Sequence, residues 1–158
     1  MVQASLHWLR ANQQAVNTLN VFPVPDGDTG TNMLLTMQAA WAEVEKLGGA
    51  TIHRIAHAVA HGALMGARGN SGVILSQLWR GFARGLDARA TMNAADFAGA
   101  MREGCTTAYK GVIKPVEGTI LSVSKAAAES AEASIKASSD LMWIFISSSP
   151  PPTWIDVP

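Results

Sequence analysis

Apolar residues recur at helical spacing along most of this chain. Leu6, Leu9, Val16 and Leu19 mark a first helix, and Met33, Met37, Ala40, Trp41 and Val44 a second, stopped by Gly48-Gly49. Ile52, Ile55, Ala56, Val59, Ala63 and Leu64 mark a third, followed by Val73, Ile74, Leu78 and Phe82 in a fourth. Asp96 to about Tyr109 and Thr119 to about Lys136 supply two more. Strand alternation is confined to Val21–Val24, where Pro23 and Pro25 argue against a central strand. The pattern is helix after helix, with no internal repeat of fixed period.

Two polar interruptions carry the chemistry. The first, Asn20-Val-Phe-Pro-Val-Pro-Asp-Gly-Asp-Thr-Gly-Thr-Asn-Met33, sets two carboxylates beside a glycine-rich turn that opens a helix. The prolines push Phe22 and Val24 toward extended geometry. In extended chain, residues i and i+2 point the same way, so Asp26 and Asp28 can converge on one point. Carboxylates held together repel unless a cation neutralises them, and Mg²⁺ accepts one or two carboxylates plus phosphate oxygens and water. An EF-hand starting at Asp26 fails, because its fifth, sixth and twelfth places hold Gly30, Thr31 and Met37. The plain alternative is a solvated Asp-Gly turn that caps a helix.

The second interruption is Gly66-Ala-Arg-Gly-Asn-Ser-Gly72. Helix N-termini expose unpaired N–H groups and a positive dipole end, and glycines let phosphate approach the backbone. Asn70, Ser71 and Gly72 therefore read as an anion-binding helix start, with the Ser71 hydroxyl as an added donor. No Lys-Ser/Thr pair follows, so this is not a Walker A loop, and the preceding helical periodicity excludes a Rossmann fingerprint. A helix-turn-helix connection with glycine at the C′ position is the plain alternative here. Arg68, inside the turn, faces either phosphate or solvent.

Taken in order, Asn20 to Met33, then Leu64-Met-Gly-Ala-Arg-Gly-Asn-Ser-Gly-Val-Ile-Leu-Ser-Gln-Leu78, then Lys114-Pro-Val-Glu-Gly-Thr-Ile120, the chain resembles the nucleotide-binding domain of dihydroxyacetone kinases (the DhaL type) and bacterial fatty acid kinases. The Asn-Val-Phe-Pro-Val-Pro and Lys-Pro-Val-Glu-Gly-Thr-Ile stretches are closer to the fatty acid kinase branch. The resemblance runs from about Leu6 to about Ala133. It implies an all-α antiparallel helical barrel whose loops at one end hold Mg²⁺ and ATP or ADP. By the same resemblance Asp26 and Asp28 are the metal-binding and catalytic residues, and Asn20 or water replaces a further aspartate of the dihydroxyacetone kinase branch. Nucleotide contacts are implied at Thr29, Gly30, Thr31 and Asn32, at Gly69, Asn70, Ser71 and Gly72, and at Gly118 and Thr119 near the base or ribose. The implied reaction is phosphorylation of a fatty acid carboxylate presented by a separate, DegV-like carrier protein, giving an acyl phosphate. A dihydroxyacetone (glycerone) kinase domain and a non-catalytic nucleotide-binding fragment are the alternatives.

Composition permits this and sets limits. The 158 residues are one domain's worth, and a hydrophobic content of 48% is ample for a core. Twelve basic and twelve acidic side chains cancel, so nucleic acid is not an expected partner. One cysteine, Cys105, excludes an internal disulfide framework and fits a reducing cytoplasm. No apolar run approaches the roughly 20 residues of a membrane span. His53, His57 and His61 share one helical face at a spacing that can bind Zn²⁺, but no His-Glu-x-x-His motif is formed and they read as flanking or solvated. Trp8, Trp41, Trp79, Trp143 and Trp154 read as packing residues.

The end of the chain breaks the pattern: only Asp156 is charged from Leu141 to Pro158, and Pro150-Pro-Pro152 cannot continue a helix. The expected division is a Mg-nucleotide-binding helical domain over 1–138 and an atypical tail over 139–158. The family's closing helices are expected to be missing, which leaves an apolar seam, self-association and no kinase turnover by this chain alone.

Overall fold

The computed structural model describes residues 1–22 and 24–135. Pro23, the expected tail over 139–158, and Trp143 and Trp154 within it lie outside the described residues. Six helices make up the described chain: α1 (Val2–Thr18), α2 (Thr29–Glu45), α3 (Ile52–Met65), α4 (Gly69–Gly85), α5 (Ala94–Gly111) and α6 (Ile120–Ile135). Among the described residues there is no strand, so the all-α expectation holds.

The cross-helix contacts set the directions. Gly62 faces Ala39 and Ala40 while Gly66 faces Ala39, so α3 runs antiparallel to α2. Gly81 meets Glu103 and Gly104, and Gly85 meets Ala100, so α5 runs antiparallel to α4. Arg102 pairs with Glu132, and Tyr109 reaches Glu117 just before α6, which makes α5 and α6 antiparallel as well. α2 and α4 are parallel neighbours, Thr36 against Gly72 and Met37 against Trp79. One end of the bundle therefore collects the start of α2, the α3–α4 turn and the α5–α6 loop. The opposite end collects the start of α3 and the α4–α5 turn.

Three buried clusters form the core: Phe82, Leu86, Phe97 and their alanine neighbours; Leu6, Leu9, Leu34 and Met37; and Ala40, Val59 and Ala63. Trp79 packs against all three, edge-on to Phe82 at 5.5 Å, with its Nε1 donating to Met37 Sδ at 3.1 Å. Small residues replace large ones where helices cross. A Cβ on Gly81 would lie 2.4 Å from the Glu103 carbonyl oxygen, so α4 and α5 can approach this closely only without it. An apolar cavity of about 290 Å³ opens between the first turn of α1 and α6, floored by Leu75, Trp79, Phe97 and Met101.

Four apolar residues of the expected helices are exposed rather than packed: Leu19, Trp8, and Leu64 and Val73 at 51% and 50%. Leu19 caps the C-terminus of α1 and is 60% exposed, because the helix ends before it can turn inward. Trp8 is 65% exposed and does not pack as expected. Its neighbours Leu6 and Leu9 already occupy the inward face of α1. Cys105 is a free, buried thiol.

Candidate functional site

The acidic turn leads into α2 at the end of the bundle that also holds the start of α4. Asp28 occupies the N-cap position, yet its side chain makes no cap hydrogen bond. Two asparagines supply what an N-cap aspartate ordinarily would. Asn20 Oδ1 accepts from the Thr29 amide at 3.1 Å and the Thr29 hydroxyl at 2.6 Å. Asn17 Oδ1 accepts from the Thr31 amide at 3.1 Å. The Thr31 hydroxyl accepts from Gln13 Nε2 at 2.9 Å and Asn17 Nδ2 at 3.0 Å, so α1 and the start of α2 are locked together. Asn20 Nδ2 donates to the Val24 carbonyl at 2.8 Å and thereby closes the turn.

The result is that Asp26 and Asp28 are both exposed, and neither carboxylate has a hydrogen bond or ion pair among the described residues. Gly27 between them has φ +69°, a left-handed conformation that glycine adopts at no steric cost. The plain alternative of a capping turn is thus half right: the segment starts a helix, but its acids do not do the capping.

The second turn sits against the first. The Arg68 amide donates to Thr36 Oγ1 at 3.2 Å, and Thr36, fully buried, donates in turn to the Asn32 carbonyl at 2.8 Å. Gly69 has φ +57° and lies against the Asn32 side chain, where a Cβ would come within 2.4 Å of Nδ2. Ser71 Oγ lies 3.5 Å from Thr29 Oγ1, so the first turns of α2 and α4 meet. The amides of Gly69, Asn70 and Ser71 open α4 with no acceptor among the described residues, while the Gly72 amide bonds to the Arg68 carbonyl at 2.9 Å. Gly66 caps α3 with φ −98°, so the left-handed residue of this connection is Gly69 rather than a C′ glycine. The Arg68 side chain is exposed.

The glycines divide by what they face. Gly30 is buried, and a Cβ there would lie 2.3 Å from the Gln13 carbonyl oxygen. Gly72 is buried against Thr36, where a Cβ would lie 2.3 Å from Oγ1. Both let helices approach each other. Gly27 and Gly69 shape exposed turns.

Gly118 and Thr119 belong to the α5–α6 loop at the same end. Gly118 has φ +78°, and its amide donates to Ser122 Oγ at 2.9 Å. Thr119 Oγ1 donates to the Val116 carbonyl at 2.8 Å and accepts from the Leu121 amide at 3.3 Å, which fixes the start of α6. Burial pushes the Tyr109 phenol up, with Glu117 adding to the shift. No hydrogen bond or ion pair among the described residues joins this loop to the acidic turn. The structure therefore brings Asn20, Thr29, Asn32, Gly69 and Ser71 together, with Asp26 and Asp28 on the exposed turn that leads into Thr29, and places Gly118 and Thr119 on a separate loop at the same end of the bundle.

Three supporting residues escaped the sequence reading: Gln13, Asn17 and Thr36. The first two stand four apart on one face of α1, a spacing that could have flagged them. Thr36 carries no such signal, being a lone hydroxyl in an apolar run.

Residues 23–147 match the DAK2 domain. The chain belongs to that family. Protein YloV of Bacillus subtilis is 53% identical over 131 residues, 83% of this chain and 24% of YloV. An uncharacterised protein of Staphylococcus saprophyticus is 54% identical over 116 residues, 73% of this chain and 21% of the relative. An uncharacterised Staphylococcus aureus protein (strain USA300) is 52% identical over 123 residues, covering 78% and 22%. The chain thus spans about a quarter or less of these relatives' length. It is a dihydroxyacetone-kinase-family domain of the nucleotide-binding kind. No described helix is long and apolar enough to cross a membrane.

Proposed function

We propose that this chain is the Mg²⁺–ATP-binding part of a cytoplasmic kinase that phosphorylates a fatty acid carboxylate held by a carrier protein. The observation that carries the proposal is the pair of exposed carboxylates, Asp26 and Asp28, without a partner among the described residues, on the turn into α2, whose Thr29 hydroxyl lies 3.5 Å from Ser71 Oγ at the open start of α4. Exposed acids and exposed helix-start donors at one end of the bundle are complementary to a metal and a phosphate chain respectively. An all-oxygen donor set of two carboxylates plus water and phosphate suits Mg²⁺. When bound, Mg²⁺ neutralises the phosphate oxygens and so lowers the cost of charge in the transferred group.

The chain's own residues then have distinct tasks. Asp26 and Asp28 hold the metal, and the first amides of α4, with the Ser71 hydroxyl and the Asn32 amide, donate to phosphate oxygens. Asn20, with both its oxygen lone pairs directed at Thr29, acts as the clamp that keeps the acidic turn in place. Thr29, Gly30 and Thr31 form the base of the site, and Gly118 and Thr119 border the nucleoside. In the reaction, a carboxylate oxygen of the fatty acid forms a bond to the γ-phosphorus as the bond to the β-bridging oxygen breaks, and ADP leaves with that electron pair. The acceptor is already ionised at neutral pH, so it needs no general base, and positioning supplies most of the rate. Exposed Val21, Phe22, Val24 and Ile113 on loops of this end, with Met65 as the last residue of α3, offer an apolar surface for the carrier.

Calorimetry with ATP in the presence and absence of Mg²⁺ tests the binding half. Asp26→Asn and Asp28→Asn should each weaken Mg²⁺-dependent ATP binding by about tenfold or more, about 1.4 kcal/mol or more. Unchanged affinity would remove the metal assignment. Release of ADP by the whole-length protein, given carrier and fatty acid, tests the acceptor; release with dihydroxyacetone instead would favour the glycerone kinase alternative.

A further inference from the structure

The opposite end of the bundle holds a second group of metal-ligating side chains. His53 and His57, one turn apart in α3, meet Asp87, which lies just beyond the C-terminus of α4. His57 Nε2 is 2.7 Å from Asp87 Oδ1, and His53 Nδ1 is 3.5 Å from the same oxygen. One nitrogen or oxygen from each of the three residues falls within 4.8 Å of the others. The two imidazole rings stand 4.5 Å apart, tilted by 55°. His53 Nδ1 is shielded from solvent and makes no hydrogen bond, the one buried side-chain polar atom in that condition among the described residues. A shielded ring nitrogen aimed at a carboxylate without a hydrogen bond is what a ligand set looks like before the ion is counted.

The backbone fixes this arrangement. The first amides of α3 bond across to the α4–α5 turn, Ile52 to the Ala90 carbonyl at 3.0 Å and His53 to the Arg89 carbonyl at 3.2 Å. Ala88 has φ +61°, a left-handed conformation that a residue with a Cβ adopts rarely, directly after Asp87. His61, one turn further along α3, lies near Glu43 instead of Asp87.

We propose that His53, His57 and Asp87 form a binding site for a divalent first-row transition metal ion, with Zn²⁺ the best match. Two imidazoles and one carboxylate are a borderline-soft set that suits Zn²⁺ rather than Mg²⁺ or Ca²⁺. Zinc bonds of about 2.0–2.2 Å place tetrahedral ligands about 3.3 Å apart, between the 2.7 and 3.5 Å separations found here. His57 and Asp87 are about half exposed, so the fourth position is open to water. The site is distinct from the acidic turn: α3 alone, with 14 residues, sets the two about 20 Å apart. A bound ion would fasten the start of α3 to the α4–α5 turn.

Titration of the whole chain with Zn²⁺ by calorimetry, and with Co²⁺ by visible absorption, tests the proposal. One ion per chain is expected, with the cobalt spectrum of a four-coordinate nitrogen and oxygen set and a zinc-dependent rise in melting temperature. Asp87→Ala and His57→Ala should each weaken Zn²⁺ binding by at least about tenfold, since even loss of groups behind a ligand costs that much. Asp87→Asn can keep a hydrogen bond to His57 while losing the anionic ligand, and it should lose zinc equally. His61→Ala and the pair Asp26→Asn, Asp28→Asn should leave zinc affinity unchanged. Absence of stoichiometric binding, or a loss of less than tenfold in the Asp87 and His57 variants, overturns the assignment.

Discussion

The two ends of the bundle spend their polar groups differently. At the α4–α5 end, Asp96 bonds to the Asn93 amide and pairs with Arg89, Asn93 caps α5 in return, and the first amides of α3 find carbonyls. Asp87 accepts from His57, and that bond holds its carboxyl below the usual carboxylate range. At the other end, Asn17, Asn20 and Thr36 hold the turns as firmly, yet Asp26, Asp28 and the first amides of α4 have no protein partner among the described residues. Folding accounts for the polar groups of the first end apart from those of the His53, His57 and Asp87 cluster, where His53 Nδ1 is left without a hydrogen bond. The second keeps a rigid frame around donors and acceptors that folding leaves unused, which is how a ligand site is built.

The largest effect should come from damaging that frame. Gly30→Val would drive a side chain into the Gln13 carbonyl oxygen, and neither helix can move without losing the Asn17 and Gln13 bonds to Thr31. A loss of about 3 kcal/mol in chemical denaturation is expected, at the upper end for overpacking. Gly72→Val should act in the same way through Thr36, so it weakens nucleotide binding by moving α4 rather than by blocking phosphate. A stability loss below about 1 kcal/mol in both variants would show that the two helices are not held as tightly as described.

Matched aspartate substitutions sharpen the comparison. Asp96→Ala removes half of a capping box and the partner of Arg89, and should cost about 1–2 kcal/mol. Asp28→Ala, at the N-cap of α2 with a side chain that makes no hydrogen bond among the described residues, should change stability by less than about 0.5 kcal/mol. Equal losses would mean that Asp28 serves folding after all. Thermal or urea denaturation of the two variants side by side decides it.

Smaller still is the exposed ion pair between α5 and α6. Glu132 is held below its usual range by the hydrogen bond from Arg102, and Glu132→Gln should cost no more than about 1 kcal/mol. The least effect is that of acid on Asp87. Its folded pKa is lowered, so its contribution is present above the unfolded carboxylate value of about 3.9 and is lost as the pH falls through the depressed folded value. Acid unfolding followed by circular dichroism should therefore move slightly to higher pH in Asp87→Asn; an unchanged midpoint would mean that the pair with His57 adds nothing to stability.

The helices were legible in the sequence because their causes are local. Apolar spacing marked the first four, the last two were read as the ranges Asp96 to about Tyr109 and Thr119 to about Lys136, Gly48-Gly49 marked the close of α2, and the glycine turn after Leu64 marked the start of α4. The two turns proposed to hold the ligand stood out in the sequence for a similar reason, since prolines, glycines and paired acids act through their immediate neighbours. The partnerships were not legible. That Asn17 and Asn20 cap α2 in place of Asp28 depends on where α1 ends against it. That Gly30 and Gly72 serve helix contact depends on the register of crossing helices, and that Asp87 stands beside His53 and His57 depends on a turn thirty residues away in sequence from His57. Spacing along one helix can place side chains on a common face, but only packing between helices decides what that face meets, and so which charges are neutralised and which remain for a ligand.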